Sequence, residues 1–368
     1  MKLLLDIGPL QERNYTGIPA VSEQLARAFL DDWDTEVMFF WEDFIIPVEA
    51  VSSLLEMRDG RYFLELVRHI PHDLVTLSSV AEPEDIVFFT NIGRVERLTL
   101  RQCQFVHDLT TVLFPETHHP DTIARHTRDF YNARNNIDLF FCNSEFTKED
   151  VALYLDIPVS RIKVAMLGTS KPASLPELSI SERYICILGT FEPRKNNILI
   201  FEMLSQHPEW LDKYRFAFIG RFGWGRDIQD IFENYPIVKD GFNSGRIIFT
   251  GFISEEDKWV LLRNAVCSIY GSLYEGFGLP VIESLSCYTP VVASFSSSLP
   301  EVGGELVEYF DPFDSQSLDQ ALRRCIRRYS NGVDCAVFDA HLARFSWKIF
   351  AENIKKELRQ FNQSPLSM

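Results

Sequence analysis

Short apolar, β-rich runs alternate with helical stretches along almost the whole chain, and no other feature constrains the fold as tightly. A strand followed by a helix returns in the same direction, so such a series builds parallel sheets with helices on their faces. Residues 3–7, 37–41, 86–90, 104–106, 139–143 and 163–167 predict the strands of a first half, with helices over 18–30, 121–137 and 145–155. Residues 44–77 are mixed and largely helical, without clear boundaries. The pattern repeats at 184–188, 215–219, 247–250, 267–270, 291–294 and 306–310. Between the two series lies Ser170-Lys-Pro-Ala-Ser-Leu-Pro-Glu177, a Pro/Ser-rich break of the kind that joins domains. A chain of 368 residues suits two domains, here 1–172 and 173–345. Ser254 and Ser315 are expected to cap helices. Phe345, Ile349, Ile354 and Leu358 form an apolar stripe within the periodic stretch 341–361, which needs a surface to pack against.

Composition excludes several classes. A net charge of −16 argues against nucleic acid, which favours basic surfaces, and weakens adhesion to anionic lipid through a polybasic patch. No apolar run approaches the roughly 18 residues needed to span a bilayer. Met1-Lys-Leu-Leu-Leu-Asp6 meets an acid too early for a signal peptide and reads as a first strand. The 7 Cys are scattered singly, in odd number, and are expected to be reduced core residues of a cytoplasmic protein.

Two carboxylates eight positions apart carry the chemistry. In Glu275-Gly276-Phe277-Gly278-Leu279-Pro280-Val-Ile-Glu283 a β-rich run precedes a glycine turn, and a helix to about Cys287 follows. That order points free backbone N–H groups at an anion, with Glu275 in the turn and Glu283 one helical turn later. Two acceptors beside a phosphate-binding turn suit a ligand with both phosphate and hydroxyls, such as a nucleotide sugar. The alternative is a chance pair of surface carboxylates. Upstream, the strand ending at Gly189 leads into Thr190-Phe-Glu-Pro-Arg194-Lys195-Asn196, which is expected to open a helix. Cations at a strand's carboxyl end can offset a diphosphate's charge, although the helix dipole slightly disfavours them there. The stretch lacks the second Gly and the Ser/Thr of a P-loop, so an NTPase is rejected.

Taken together, Gly189-Thr190-x3-Arg194-Lys195-Asn196, Ser272-x2-Glu275-Gly276-Phe277-Gly278-Leu279-Pro280-x2-Glu283, Pro290-Val-Val and Leu299-Pro-Glu-Val-Gly-Gly304 resemble the retaining glycosyltransferases of family 4. Their order and spacing match, and the resemblance spans most of the chain. It implies an α/β GT-B fold, two Rossmann-like domains facing each other across a cleft. It also implies that a terminal helix, 346–362, returns to the first domain. By the same resemblance the donor is held by Gly17, Thr190, Arg194, Lys195, Gly276, Phe277, Gly278, Leu279 and Glu283, with Glu283 on the ribose hydroxyls. The catalytic group is Glu275, His107, Arg194 and Lys195, with Glu275 and His107 near the donor sugar.

The first half adds less. Asn14-Tyr15-Thr16-Gly17-Ile18-Pro19 joins the first strand to the first helix, where the family carries a glycine loop, commonly with a pair rather than the single Gly present here. His107-Asp108 follows a strand at its carboxyl end. His118 and His119 read as solvated loop histidines rather than as a metal cluster with His107 and His126, because no Cys or carboxylate stands at ligand spacing. Asp32-Trp33-Asp34 spells a D-x-D at the edge opposite the ligand edge and is taken as coincidence, so no obligatory metal or other cofactor is expected. Gly220-x2-Gly223-x-Gly225 fails the dinucleotide spacing, although Arg221 and Trp224 could approach a nucleotide.

The activity implied is transfer of a sugar, mannose or rhamnose being favoured, from a GDP-, dTDP- or UDP-linked donor to a glycan or lipid-linked glycan hydroxyl with retention. The His107-Asp108-Leu and Ser144-Glu-Phe-Thr-Lys stretches are similar to those of bacterial polysaccharide and O-antigen transferases. A cytoplasmic location follows, with peripheral attachment to the inner membrane surface left open. The rival readings are a GT-B nucleotide-sugar epimerase and a non-catalytic nucleotide-sugar-binding protein.

Overall fold

A computed structural model describes residues 2–12, 17–31, 36–69, 75–93, 96–172, 174, 183–223 and 227–363. The chain divides into two compact units. The first comprises Met1–Leu113, His118–Gly168 and Ser346–Met368, and the second Phe114–Thr117 and Thr169–Phe345. The division thus falls after Gly168 rather than after residue 172, and 114–117 belong with the second unit.

The first unit holds a seven-stranded sheet of β1 (Leu3–Asp6), β2 (Val37–Trp41), β3 (Phe44–Ile46), β4 (Ile86–Phe89), β5 (Arg101–Val106), β6 (Leu139–Cys142) and β7 (Ile162–Val164). Their order is β3-β2-β1-β4-β5-β6-β7. All neighbours run parallel except β3, which turns back antiparallel along β2. This edge strand, with the helices Val48–Met57 and Gly60–His69, resolves the stretch that the sequence left mixed. Every residue of β5 and β6 is buried, as expected for strands covered on both faces.

The last helix, Trp347–Gln363, packs in this first unit against the helix Ile18–Asp31. Its buried side chains are Phe350, Ala351, Ile354, Lys355 and Leu358, with Phe350 edge-on to Phe105 at 5.9 Å. The expected stripe is corrected here. Ile349 is 38% exposed, and Phe345 precedes the helix and belongs to the second unit. A separate helix, Cys335–Leu342, ends before that point, so 341–361 is not one helix. Gly168 and Trp347 meet so closely that a Cβ on Gly168 would lie 2.2 Å from the Trp347 nitrogen.

The second unit holds β8 (Tyr184–Leu188), β9 (Arg215–Ile219), β10 (Ile247–Gly251), β11 (Cys267–Tyr270), β12 (Val291–Ser294) and β13 (Val307–Phe310). They form a wholly parallel sheet ordered β10-β9-β8-β11-β12-β13. Phe201, Phe218 and Phe249 stack on one face at 5.1–5.2 Å, contacts worth about 0.5–1.5 kcal/mol each beyond their area. Ser254 caps its helix, accepting from the Asp257 N–H at 3.0 Å. Ser315 does not. Asp314 accepts from the Gln316 N–H at 2.9 Å, so the helix starts one residue earlier than read. Six cysteines are buried as free thiols, but Cys335 is exposed, contrary to the expectation that all lie in the core.

Both sheets reverse strand order beside their first strand, between β1 and β4 and between β8 and β11. Open α/β sheets bind ligands outside the carboxyl ends of the strands at such a reversal.

Candidate functional site

At the second unit's reversal, the loops after β8 and β11 converge. The loop after β8 closes in a short turn, Pro193–Lys195, and Asn196 then takes a left-handed φ of 54° before the helix Asn197–Gln206. Arg194 and Lys195 therefore precede the helix in a turn of their own rather than opening it. Gly220, at the end of β9, lies against this loop: a Cβ there would sit 2.2 Å from the Gly189 carbonyl oxygen.

Arg194, Lys195 and Glu275 are brought together. Lys195 Nζ donates to Glu275 Oε1 at 2.5 Å, and Arg194 Nη1 donates to Oε2 at 2.9 Å. The Ser272 hydroxyl donates to Oε1 at 2.6 Å. Arg194 Nη2 holds Glu192 at 2.8 Å, and Nη1 also reaches the Tyr274 carbonyl at 2.7 Å. Burial alone would push the Glu275 carboxyl up, but Lys195 and Arg194 outweigh it and hold the group at about 2. The sequence reading assigned the two cations to a diphosphate; their observed partners are Glu275 and Glu192, in a group of two positive and two negative charges. The Glu275 backbone is pinned too, its N–H donating to Ser297 Oγ at 2.8 Å and its carbonyl accepting from Ser298 Oγ at 2.9 Å.

Gly276, Phe277 and Gly278 lead into the helix Leu279–Ser286, whose first N–H groups have no intrahelical acceptor. Gly278 has φ 97°, and a Cβ there would lie 2.6 Å from Leu299 Cδ2, so only glycine makes this turn. Phe277 is buried, packing edge-on to Phe345 at 5.9 Å.

Glu283 sits inside the same helix and pairs with Lys258 of the helix Glu255–Asn264 at 2.8 Å. Lys258 also meets Glu255 at 2.9 Å. Burial raises the Glu283 carboxyl, Lys258 opposes it, and Glu255 adds to the rise. Lys258 is itself raised, because two carboxylates outweigh its own burial. Tyr270 lies within reach of both site carboxylates: burial first, then Glu283 and Glu275, push its hydroxyl up. That hydroxyl has no hydrogen-bond partner among the described residues, and Tyr270 lines a small cavity with Gly189, Lys195, Asn197 and Ser272.

In the first unit, Gly17 opens the helix Ile18–Asp31 with φ 63°. His107, just past β5, is buried, with Nε2 2.9 Å from the Thr90 carbonyl. A carbonyl only accepts, so Nε2 carries the proton and Nδ1 is the ring's acceptor. Burial lowers the imidazole to about 4, against the Thr90 hydrogen bond and the charge of Asp108. His107 is a neutral hydrogen-bonding group, not one that titrates near neutrality. His119 is exposed and accepts from the Asp121 N–H at 3.3 Å, as the cap of the helix Pro120–Asn136. Among the described residues, no group of three or more His, Cys, Asp or Glu gathers as a metal site. Asn14-Tyr15-Thr16, Asp32-Trp33-Asp34, Trp224 and Gly225 lie outside the described residues.

Sequence reasoning missed Glu192, Lys258, Ser297 and Ser298. Glu192 stands inside the Thr190–Asn196 stretch and carried that much signal. Lys258 follows a capping sequence and had none, since its partner lies on another helix.

This geometry has relatives. Residues 176–332 match the family described as glycosyl transferases group 1, and the chain carries a domain of that family. The chain is 29% identical over 262 residues to O-antigen chain mannosyltransferase B of Escherichia coli, covering 66% of each chain. It is 26% identical over 266 residues to the serotype-specific mannosyltransferase WbdA of Escherichia coli, covering 66% of this chain but 31% of that one. The chain therefore spans just under two thirds of the first relative and under a third of the second. The crystal structure of Anabaena HepE in complex with UDP and glucose superposes with a TM-score of 0.66 at 17% identity, covering 98% of this chain and 100% of that one. The fold is thus GT-B, with two parallel-sheet α/β domains. No described helix is long and apolar enough to cross a membrane.

Proposed function

We propose that the chain is a retaining glycosyltransferase that moves a mannosyl group from a nucleoside-diphosphate donor to a hydroxyl of a glycan or lipid-linked glycan. The observation that carries this is the ionised Glu275 held by Lys195 and Arg194 at a strand-order reversal, next to a helix start. The mannosyltransferase relatives support the choice of sugar, and the nucleotide is GDP, UDP or dTDP. In this reading the departing diphosphate lies at the amino end of the helix Leu279–Ser286 and shares Arg194 and Lys195 with Glu275. Charge developing on its oxygen is met by groups already in place, so little reorganisation is needed as the bond breaks. Glu283 accepts from the ribose hydroxyls, and Glu275 faces the sugar whose positive charge grows. Front-face attack, with the leaving phosphate oxygen taking the acceptor's proton, requires no further base. Thr190 completes the donor surroundings in the second unit, and no obligatory metal is assigned.

Thermal shift and product analysis against GDP-mannose, dTDP-rhamnose and UDP-glucose test the reading. A donor at 100 times its Kd raises stability by about 2.7 kcal/mol. Transfer to a mannose-terminated oligosaccharide that survives EDTA supports the proposal. Isomerisation of the donor without acceptor, or binding without turnover, would replace it with the epimerase or the binding-protein reading. Activity lost to EDTA and restored by Mg²⁺ or Mn²⁺ would return attention to Asp32-Trp33-Asp34.

A further inference from the structure

A cavity of about 520 Å³ opens at the carboxyl ends of β12 and β13, within the second unit and within the size range of small-ligand sites. Two phenylalanine rings line it. Phe295, the residue after β12, is 67% exposed, and Phe313, in the loop after β13, is 80% exposed. Phe295 lies edge-on to Tyr309 at 5.7 Å, and the Tyr309 hydroxyl is anchored on the Gly304 carbonyl at 2.9 Å. Asp311 Oδ1 accepts from the Phe313 N–H at 2.9 Å, and the Asp311 N–H donates to Ser317 Oγ at 3.0 Å. Among the described residues, Asp311 Oδ2 has no hydrogen bond or ion pair, and the Ser317 hydroxyl proton has no acceptor. The cavity thus offers two exposed rings, one free carboxylate oxygen and one free hydroxyl donor.

That set selects among occupants. An acyl chain would take the Asp311 oxygen out of water without giving it a partner, which is costly. A phosphate or an acidic headgroup would meet the charge of Asp311 and of the exposed Asp314 beside it. A cation satisfies Asp311 but sets its own donors against the Ser317 proton. A sugar fits every group: its hydroxyls both donate and accept, and its polarised C–H groups are attracted to the negative face of an aromatic ring.

The cavity also adjoins the Glu275 site. Ser297 and Ser298, which hold the Glu275 backbone, follow Phe295 in the chain, and the two residues from Phe295 to Ser297 span at most about 7 Å. Asn196, next to Lys195, donates its side-chain amide to the Pro312 carbonyl at 2.8 Å, which ties the Asp311–Phe313 loop to the turn of the two cations.

We propose that this cavity binds a neutral glycan. Sugar units of the acceptor beyond the reacting hydroxyl rest on Phe295 and Phe313, with one hydroxyl shared between Asp311 and Ser317. This rests on the transfer reading and adds to it a second place where the acceptor is held, so that an acceptor of several sugars is preferred to a single one.

The test compares the full chain with Phe313→Ala, Phe295→Ala and Phe313→Tyr, using methyl mannoside and mannose oligosaccharides of increasing length as acceptors, with the donor that the panel identifies. Both rings are exposed, so each variant should melt within about 2 °C of the unmodified protein, and the two Ala variants stand in for each other should one fail to fold. In the unmodified protein acceptor KM should fall as the oligosaccharide lengthens. Each Ala variant should raise KM for the longest acceptor by about 2- to 10-fold, the loss of one ring contact, with KM for methyl mannoside and for the donor unchanged. Phe313→Tyr keeps a ring and should keep the length dependence. Calorimetric titration with the oligosaccharide, without donor, should show the same loss in the Ala variants. Acceptor KM that does not depend on length, or that rises equally for methyl mannoside, overturns the proposal. Ala variants that leave oligosaccharide binding unaltered but reduce self-association in sedimentation, or binding to phosphatidylglycerol vesicles, overturn it in favour of a second copy or a membrane. If no donor supports transfer, the transfer reading fails and the titration still decides whether the cavity takes a glycan. Transfer with acceptor KM unaltered in both Ala variants removes this proposal alone.

Discussion

Lys195 and Glu275 are a partly buried ion pair 2.5 Å apart, and the second oxygen of Glu275 is taken by Arg194. The carboxylate and the cations that the sequence presents as separate pieces are one electrostatic unit. Any substitution in it acts on charge stabilisation and on the ionisation of Glu275 together.

Lys195→Ala is expected to lower kcat by a factor matching about 2.7–4 kcal/mol, the usual loss when one transition-state charge stabiliser is removed. Stability should fall less, because Glu275 keeps Arg194 and the Ser272 hydroxyl. Steady-state kinetics at saturating donor, set beside a thermal melt, checks this; unchanged kcat would refute the assigned role.

Glu275 also makes a prediction about acid. Its carboxyl is depressed to about 2 in the folded chain. It therefore contributes stability that is fully present above the ordinary carboxylate value and is lost as pH falls toward 2. The melting-temperature gap between the unmodified protein and Glu275→Gln should be constant from about pH 7 to 5 and close below that. A gap that does not depend on pH would mean that packing, not ionisation, is what the substitution disturbs.

The two carboxylates should separate kinetically. Glu283→Gln keeps one acceptor oxygen but loses charge-assisted bonds, so donor affinity should fall with a smaller change in kcat. Glu275→Gln should lower kcat with less effect on donor binding, since its proposed partner is the sugar that gains charge in the transition state. Identical effects of both on binding alone would sink the division of roles.

Lys258→Met removes the cation that opposes the burial of Glu283. The carboxyl should then titrate higher, so donor affinity should become more pH-dependent, weakening toward acid and recovering as pH rises. In the unmodified protein the same series should be flatter. Calorimetric titration with the donor's nucleoside diphosphate across that range reads the difference, and parallel profiles would show that Lys258 does not govern Glu283.

What the sequence alone determined follows from local rules. Strand and helix periodicities placed twelve strands close to their observed positions, and glycine geometry placed the Gly276–Gly278 turn before the helix Leu279–Ser286. It failed where the local signal was shared between neighbours. Asp314 took the cap from Ser315. The edge strand β3 was hidden in a mixed stretch, and Phe350 replaced Ile349 on the buried face of the last helix. The tertiary structure decided the partners. Lys195 meets Glu275 across 80 residues, Lys258 meets Glu283 across 25, and Thr90 meets Asp6 across 84. No periodicity encodes such pairings, because the sheet order brings these residues together. Their charge states follow from the surroundings: Glu275 is ionised because two cations outweigh its burial, whereas burial raises Asp6 to about 6.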